Sequence, residues 1–246
     1  MAWSRVQGSK LRRVGTPKKK RQVTLAANHP AIKQNRTLYP TTLRHASLVK
    51  NVLKSGENQR KLGKRVTKGW WKGFPIYALT LEERRTCPRS CAVFNVCYGN
   101  NMHLAERLLA GRDLEIALWK QLEQLNAKHP KGFVVRLHVL GDFYSVAYVQ
   151  FWERALDTFP ALHCFGYTAW PLDVPIGRAV AELARDRWDR WAFRFSSIDG
   201  PLYGSVVVEQ DDPRYLTCPA QVGKTECCGT CGFCWQSNRT IAFLKH

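Results

Sequence analysis

The chain has 246 residues, 45% hydrophobic content with nine Trp, and a formal net charge of +19, which is ample apolar material for a folded core and argues against a disordered protein. Met1–Lys20 contains no apolar signal-peptide core, and no stretch approaches the roughly 20 apolar residues of a membrane helix, so a soluble, cytoplasmic protein with reduced thiols and no membrane partner is expected. The charge is uneven: residues 1–72 carry 19 Lys/Arg against the single acid Glu57, for +18, whereas residues 73–246 carry 19 against 18, for +1.

Residues 1–68, with Lys18-Lys19-Lys20-Arg21 and a second basic stretch at 60–65, read as a basic N-terminal arm or extension and not as a second core. Such an arm binds polyanions by releasing counterions, which makes nucleic acid a candidate partner. A merely solvated extension is the equal alternative, since no recognition-module signature accompanies it. From residue 69 to 246 strands and helices alternate. Phe74–Leu81 reads as a strand ending at a cysteine loop. Met102–Leu125 reads as a helix with Leu104, Leu108, Leu118, Leu122 and Leu125 at helical spacing and a jog at Gly111. Then come a strand in Gly132–Phe143 and a helix over Ser145–Thr158 with Ser145 as N-cap. A strand at Ala161–Thr168 precedes a helix at Val174–Trp188, with Pro175 in its first turn. A further strand follows at Trp191–Ile198, and short strands at Ser205–Glu209, near Tyr215 and at Thr240–Leu244 close the chain.

This alternation implies right-handed βαβ crossovers and a mainly parallel sheet, open or curled into a partial (β/α) barrel. Ligands in such folds collect at the carboxyl ends of the strands. Those ends hold the first cysteine loop, Gly141-Asp142, Tyr167-Thr168 and Ser196-Ser197-Ile198-Asp199. Strand alternation puts Arg136, His138 and Leu140 on one face, so that Arg136 and His138 point to the interior; a structurally paired Arg or His is the competing reading.

Eight of the nine cysteines are clustered. In a reducing compartment such spacing favours metal over disulfides. Cys87, Cys91 and Cys97 supply three thiolates within eleven residues; three sulfur ligands leave one iron of a four-iron cluster open, whereas a structural zinc is normally closed by four, with His103 available as the fourth. Cys218, Cys228, Cys231 and Cys234 offer four thiolates, with Cys227 as an alternate to Cys228, and suit either a closed cubane or a zinc knuckle. Cys227–Cys234 also matches C-x3-C-x2-C, the radical SAM signature, but only twelve residues follow it. Cys164 lies in an apolar run and reads as a small buried hydrophobe. Hydrolytic motifs are missing, Glu82-Glu83 and Asp211-Asp212 read as solvated surface acids, and His138 with Asp142 reads as a structural hydrogen bond before an acid–base pair.

Thr86-Cys87-Pro88, Cys91, Cys97-Tyr98, the run Arg136–Phe143, Gly166-Tyr167-Thr168, Cys218-Pro219-Ala220-Gln221, Cys228, Cys231-Gly232 and Cys234-Trp235 together resemble the phage "gene product 88" family of viral iron–sulfur proteins, which is similar in turn to the radical SAM partial barrel. The resemblance runs from about residue 70 to the C-terminus, about seven tenths of the chain, and carries nothing over to residues 1–68. It implies one or two four-iron four-sulfur clusters in a phage protein of the host cytoplasm, with no assigned reaction or catalytic residue. Three readings follow. The first is a cluster-binding protein whose open iron takes a small ligand or serves redox chemistry. The second is a radical SAM-type enzyme in which Cys87, Cys91 and Cys97 hold the cluster, Asp142 contacts the amine of S-adenosylmethionine and Ser196 or Ser197 contacts the ribose; the Cys91-x5-Cys97 gap departs from that family's spacing. The third is a zinc-stabilised nucleic-acid-binding protein. Arg136, His138, Asp142, Tyr167 and Ser196 are the candidate ligand-binding residues.

Overall fold

The computed structural model describes residues 22–59, 61–200 and 203–245, together with the backbone of an antiparallel pair, β1 (Trp3–Val6) and β2 (Ser9–Arg13). Lys18-Lys19-Lys20-Arg21 and Arg60 lie outside the described residues. In chain order there follow α1 (Pro30–Lys33), β3 (Leu43–Arg44), β4 (Lys54–Ser55), β5 (Ile76–Ala78), β6 (Arg107–Leu108), α2 (Arg112–Lys128), β7 (Phe133–Leu137), α3 (Val146–Thr158) and β8 (Leu162–Thr168). The remainder comprises α4 (Pro175–Arg187), β9 (Trp191–Ser196), β10 (Gly204–Val208), β11 (Leu216–Thr217), α5 (Cys228–Cys231), α6 (Phe233–Gln236) and β12 (Ile241–Leu244).

Eight strands form one sheet in the order β11-β12-β10-β9-β8-β7-β5-β4, and every pairing is parallel except β4 with β5. The expected mainly parallel α/β sheet is therefore present. It does not close into a barrel: β11 and β4, two residues each, bound it on opposite sides. Parallel pairing with helical crossovers places the strand carboxyl ends at one pole, as the chain order requires.

Side-chain alternation gives the sheet two different faces. Phe133, Val135, Leu137, Leu162, Cys164, Trp191, Phe193 and Phe195 pack beneath α2, α3 and α4 in the main core. Cys164 is buried there, as a small apolar residue would be. Fully buried apolar side chains of this size each contribute about 1.5–3 kcal/mol. The opposite face carries Ile76, Ala78, Val134, Phe165 and Ala192 and is covered by the loop residues Leu62, Val66 and Trp71 and by Trp235 of α6. Trp71 and Trp235 stack with centroids 5.0 Å apart. Cys228 and Cys234 pack against this face.

Several local signals act as expected. Ser145 caps α3 by accepting a 3.1 Å bond from the Tyr148 amide, and Pro175 opens α4. The single helix expected over Met102–Leu125 is corrected: Tyr98–Asn101 is a 3-10 turn, Arg107–Leu108 is a strand, and the helix begins at Arg112. Gly111, at φ 137°, adopts a backbone that L-residues avoid and so starts the helix instead of jogging it. Residues placed in the basic extension also belong to the fold: Ala46, Val52 and Leu53 join the main core, Leu62 and Val66 the opposite face, and β4 extends the sheet. Their apolar residues are sparse and aperiodic, which hides them among the charges. Among the described residues no helix is long and apolar enough to cross a membrane.

Candidate metal centre

The chain after β5 turns into the first cysteine loop. Its scaffold is a buried set of charges. The Glu83 carboxylate accepts from Arg107 Nε at 2.6 Å and from Thr37 Oγ1 at 2.9 Å, and Glu82 accepts from Arg36 Nε at 2.7 Å and the Thr37 amide at 3.2 Å. Arg107 also donates to the carbonyls of Gly99, Met102 and Ala105, and Arg84 donates to Phe94 O, Arg36 O and the Asn100 side chain. Asn100 in turn donates to Val23 O and Asn95 O. The expectation that Glu82 and Glu83 are solvated surface acids is thus overturned: both are buried and hold the loop. Their burial is affordable because each carboxylate is met by charged or hydroxyl donors.

Cys87, Cys91 and Cys97 hang from this scaffold, with Cys87 and Cys91 against Leu25, Ala31, Ile32 and Phe94. Burial, then the Asp142 carboxylate, pushes the Cys87 thiol well above its ordinary value, and burial takes Cys97 up to about 11. Each of these thiols feels the charge of another member of the set. His103 is exposed and stands edge-on to Tyr39.

The second set lies on the segment between β11 and β12. Cys218, Cys228, Cys231 and Cys234 line one recess with Pro219, Ala220, Phe233 and Ile241, about 290 Å³ of space counting its open mouth. Cys227 is buried and does not line it, and its backbone N–H donates to Thr230 Oγ1 at 3.1 Å. Burial followed by the charges of Cys234 and Cys218 raises Cys228, and burial raises Cys231 to about 11. As free thiols Cys228 and Cys231 are therefore protonated at neutral pH, and a nearby positive charge favours their thiolates. The segment is held through its carbonyls: Arg194 donates to Cys234 O at 2.9 Å, Arg239 O at 3.0 Å and Ser237 O, while Trp188 Nε1 donates to Trp235 O at 3.1 Å.

The other candidate residues separate. Arg136 and Tyr167 share the cysteine-bearing face, the guanidinium lying 5.0 Å from the Tyr167 ring centre and 5.3 Å from that of Phe165. The Tyr167 hydroxyl is 2.9 Å from Cys234 Sγ. His138 does not share a face with Arg136, which corrects the alternation argument: β7 ends at Leu137, and His138 packs on Phe143 and Tyr148 of the helix-side core, its Nε2 3.3 Å from Tyr148 Oη. Burial, then Arg136, lowers His138 to about 3, so it is a neutral core histidine. Asp142 is buried and ties strand ends together, accepting from the Phe143 amide at 2.8 Å and the Ala169 amide at 2.7 Å, while its own amide donates to Thr86 Oγ1 at 3.0 Å. Gly141, at φ 83° with Thr86 and Leu81 pressed against it, is required for that turn. Desolvation raises Asp142 to about 7 despite those bonds. His138 and Asp142 form no pair, and Ser196 is exposed at the end of β9.

Among the described residues no three or more of His, Cys, Asp and Glu are arranged to hold a single metal ion. The donor chemistry is all sulfur, in two sets of three and four, and suits soft metal centres such as iron–sulfur clusters and zinc alike. Sequence reasoning missed Glu83, Arg84, Arg107 and Arg194, whose role depends on burial that no local pattern announces.

These features define an α/β protein with an open, mostly parallel sheet and two thiol sets, one against the Leu25, Ala31, Ile32 and Phe94 cluster and one against the loop-covered face. The chain belongs to the phage gene product 88 family, whose family model matches residues 48–181, more than half of its length. The match includes Cys87, Cys91, Cys97, Arg136 and Tyr167 and stops before Cys218. No curated protein and no solved structure matches the chain.

Proposed function

We propose that the chain is a viral iron–sulfur cluster-binding protein of the host cytoplasm. The observation that carries this reading is the convergence of Cys218, Cys228, Cys231 and Cys234 on one recess, with apolar residues completing the wall. The four cysteines line the same space. An all-sulfur set of four suits a multi-iron cluster, in which each sulfur binds a different iron, and iron and sulfide analysis separates that from a zinc with four sulfurs about 2.3 Å from one centre. Cys87, Cys91 and Cys97 are the ligands proposed for a second cluster. When bound, a cluster held by three thiolates supplies an iron open to a small ligand or to redox exchange.

The chain's own residues have definite roles in this reading. The cysteines are half-buried, with Cys231 buried, and the Tyr167 hydroxyl stands where it donates to ligated Cys234, an interaction that tunes potential. The S-adenosylmethionine reading is weaker, because both Asp142 oxygens are already engaged by the Phe143 and Ala169 amides. Nucleic-acid contact is proposed for residues 1–21, which carry eight Lys/Arg and no acid; binding that weakens steeply with salt is its mark.

Paired variants test the ligand assignment. In anaerobically purified protein, Cys228→Ser is expected to lose part of the iron and of the charge-transfer absorption, whereas Cys227→Ser keeps both. Equal retention in the two variants would refute the assignment.

A further inference from the structure

The second cysteine segment leans on two rings of the sheet with one cation behind them. On β8, Phe165 and Tyr167 are two residues apart and lie on the same face. Phe165 meets Trp235 edge-on with centroids 4.8 Å apart, and the Tyr167 hydroxyl is 2.9 Å from Cys234 Sγ. Arg136, on the neighbouring strand β7, pairs in register with Phe165, and its guanidinium lies 5.3 Å from the Phe165 ring centre and 5.0 Å from that of Tyr167. Cation, phenol and thiol thus form one contact series, from Arg136 through Tyr167 to Cys234, and Cys234 lines the recess with Cys218, Cys228 and Cys231.

A cysteine bound to a metal is a thiolate, and a thiolate only accepts hydrogen bonds. The Tyr167 hydroxyl is then the donor in its pair with Cys234. A guanidinium over the face of a phenol ring is attracted by the ring's electrons and draws charge from them, which makes the O–H more acidic and the bond it donates stronger. Contact with two rings holds the guanidinium where it exerts this pull. A cation on one side of the ring is in this way felt at the sulfur on the other.

We propose that Arg136 is a positioning residue of the second thiol set, acting through Tyr167 on Cys234. Its charge polarises the phenol, and the strengthened O–H···S bond steadies the Cys234 thiolate on its metal. This deepens the cluster reading and rests on it only for the ligation of Cys234. Iron and zinc both take thiolate ligands, so the relay acts on either metal.

The test is metal release from the anaerobically purified full chain into excess EDTA, with the released metal identified by mass spectrometry. The phase that is missing in Cys228→Ser reports the second set. Arg136→Met keeps an unbranched apolar stem and removes the charge; it should speed that phase about tenfold, the scale on which partners outside the ligand shell act. Arg136→Lys should stay closer to the parent. Tyr167→Phe should release at least as fast as Arg136→Met, and the double variant should be no faster than Tyr167→Phe alone, because the relay is already cut. The first set's phase should not change, which separates a local effect from a loosened fold. The proposal falls if Arg136→Met releases at the parent rate, if both phases quicken together, or if the two substitutions multiply in the double variant, which would make Arg136 an independent countercharge. Zinc in place of iron, with the same order among the variants, would leave the relay standing and remove the cluster reading; iron with multiplying effects would do the reverse. A chain that carries no metal on the second set would overturn both.

Discussion

The two cysteine segments are held in contrasting ways. The first loop hangs on side-chain charges: Glu82, Glu83, Arg84 and Arg107 are buried together, and their donors reach out to loop carbonyls. The second is held by its backbone, with one arginine, Arg194, gathering carbonyls while Trp235 stacks on Trp71. A charge scaffold fails abruptly when one member is removed, because an uncompensated ion is left behind. A carbonyl scaffold with aromatic packing loses contacts in smaller steps. The two thiol sets should therefore be separable by mutation.

The largest expected effect is at Glu83. Glu83→Gln leaves Arg84 and Arg107 without their buried countercharge and should cost about 3–5 kcal/mol in urea unfolding, with loss of metal from the first set. Loss confined to the second set would invert the comparison. Next, Arg194→Met should cost about 3 kcal/mol by orphaning several carbonyls, and metal should be lost from the second set while the first persists. Tyr167→Phe is smaller, about 1 kcal/mol, and should shift the charge-transfer spectrum or potential of the second set alone. An unchanged spectrum would mean that the hydroxyl does not act on Cys234.

A pH series sharpens the contrast from the side of Asp142. Its folded value, raised to about 7 by desolvation, lies above the unfolded carboxylate value of about 3.9. Between those limits the folded chain holds more proton than the unfolded one, so this group's contribution to stability falls as pH rises from about 4 to 7 and levels off above. Asp142→Asn should remove that slope in urea midpoints measured across the window. A slope that persists in the variant belongs to another group.

Much of the sheet was readable from the chain. Ser145 and Pro175 mark helix starts through backbone chemistry that acts within a few residues, and strands β7 to β10 follow from β-type runs between helical ones. What escaped depends on tertiary placement. Gly111 needed its φ to distinguish a helix start from a jog, and the end of β7 at Leu137 sends His138 to the opposite core from Arg136. Glu82 and Glu83 look like surface acids because their cationic partners lie up to 46 residues away along the chain. Among the thiols, spacing grouped the residues, but only the recess distinguishes Cys228, which faces it, from Cys227, which does not.

The most direct test of the cluster reading is quantification of iron, acid-labile sulfide and zinc in anaerobically purified protein. The account expects a brown preparation with iron and sulfide in about equal amounts and little zinc. A colourless preparation carrying stoichiometric zinc and no labile sulfide would contradict it.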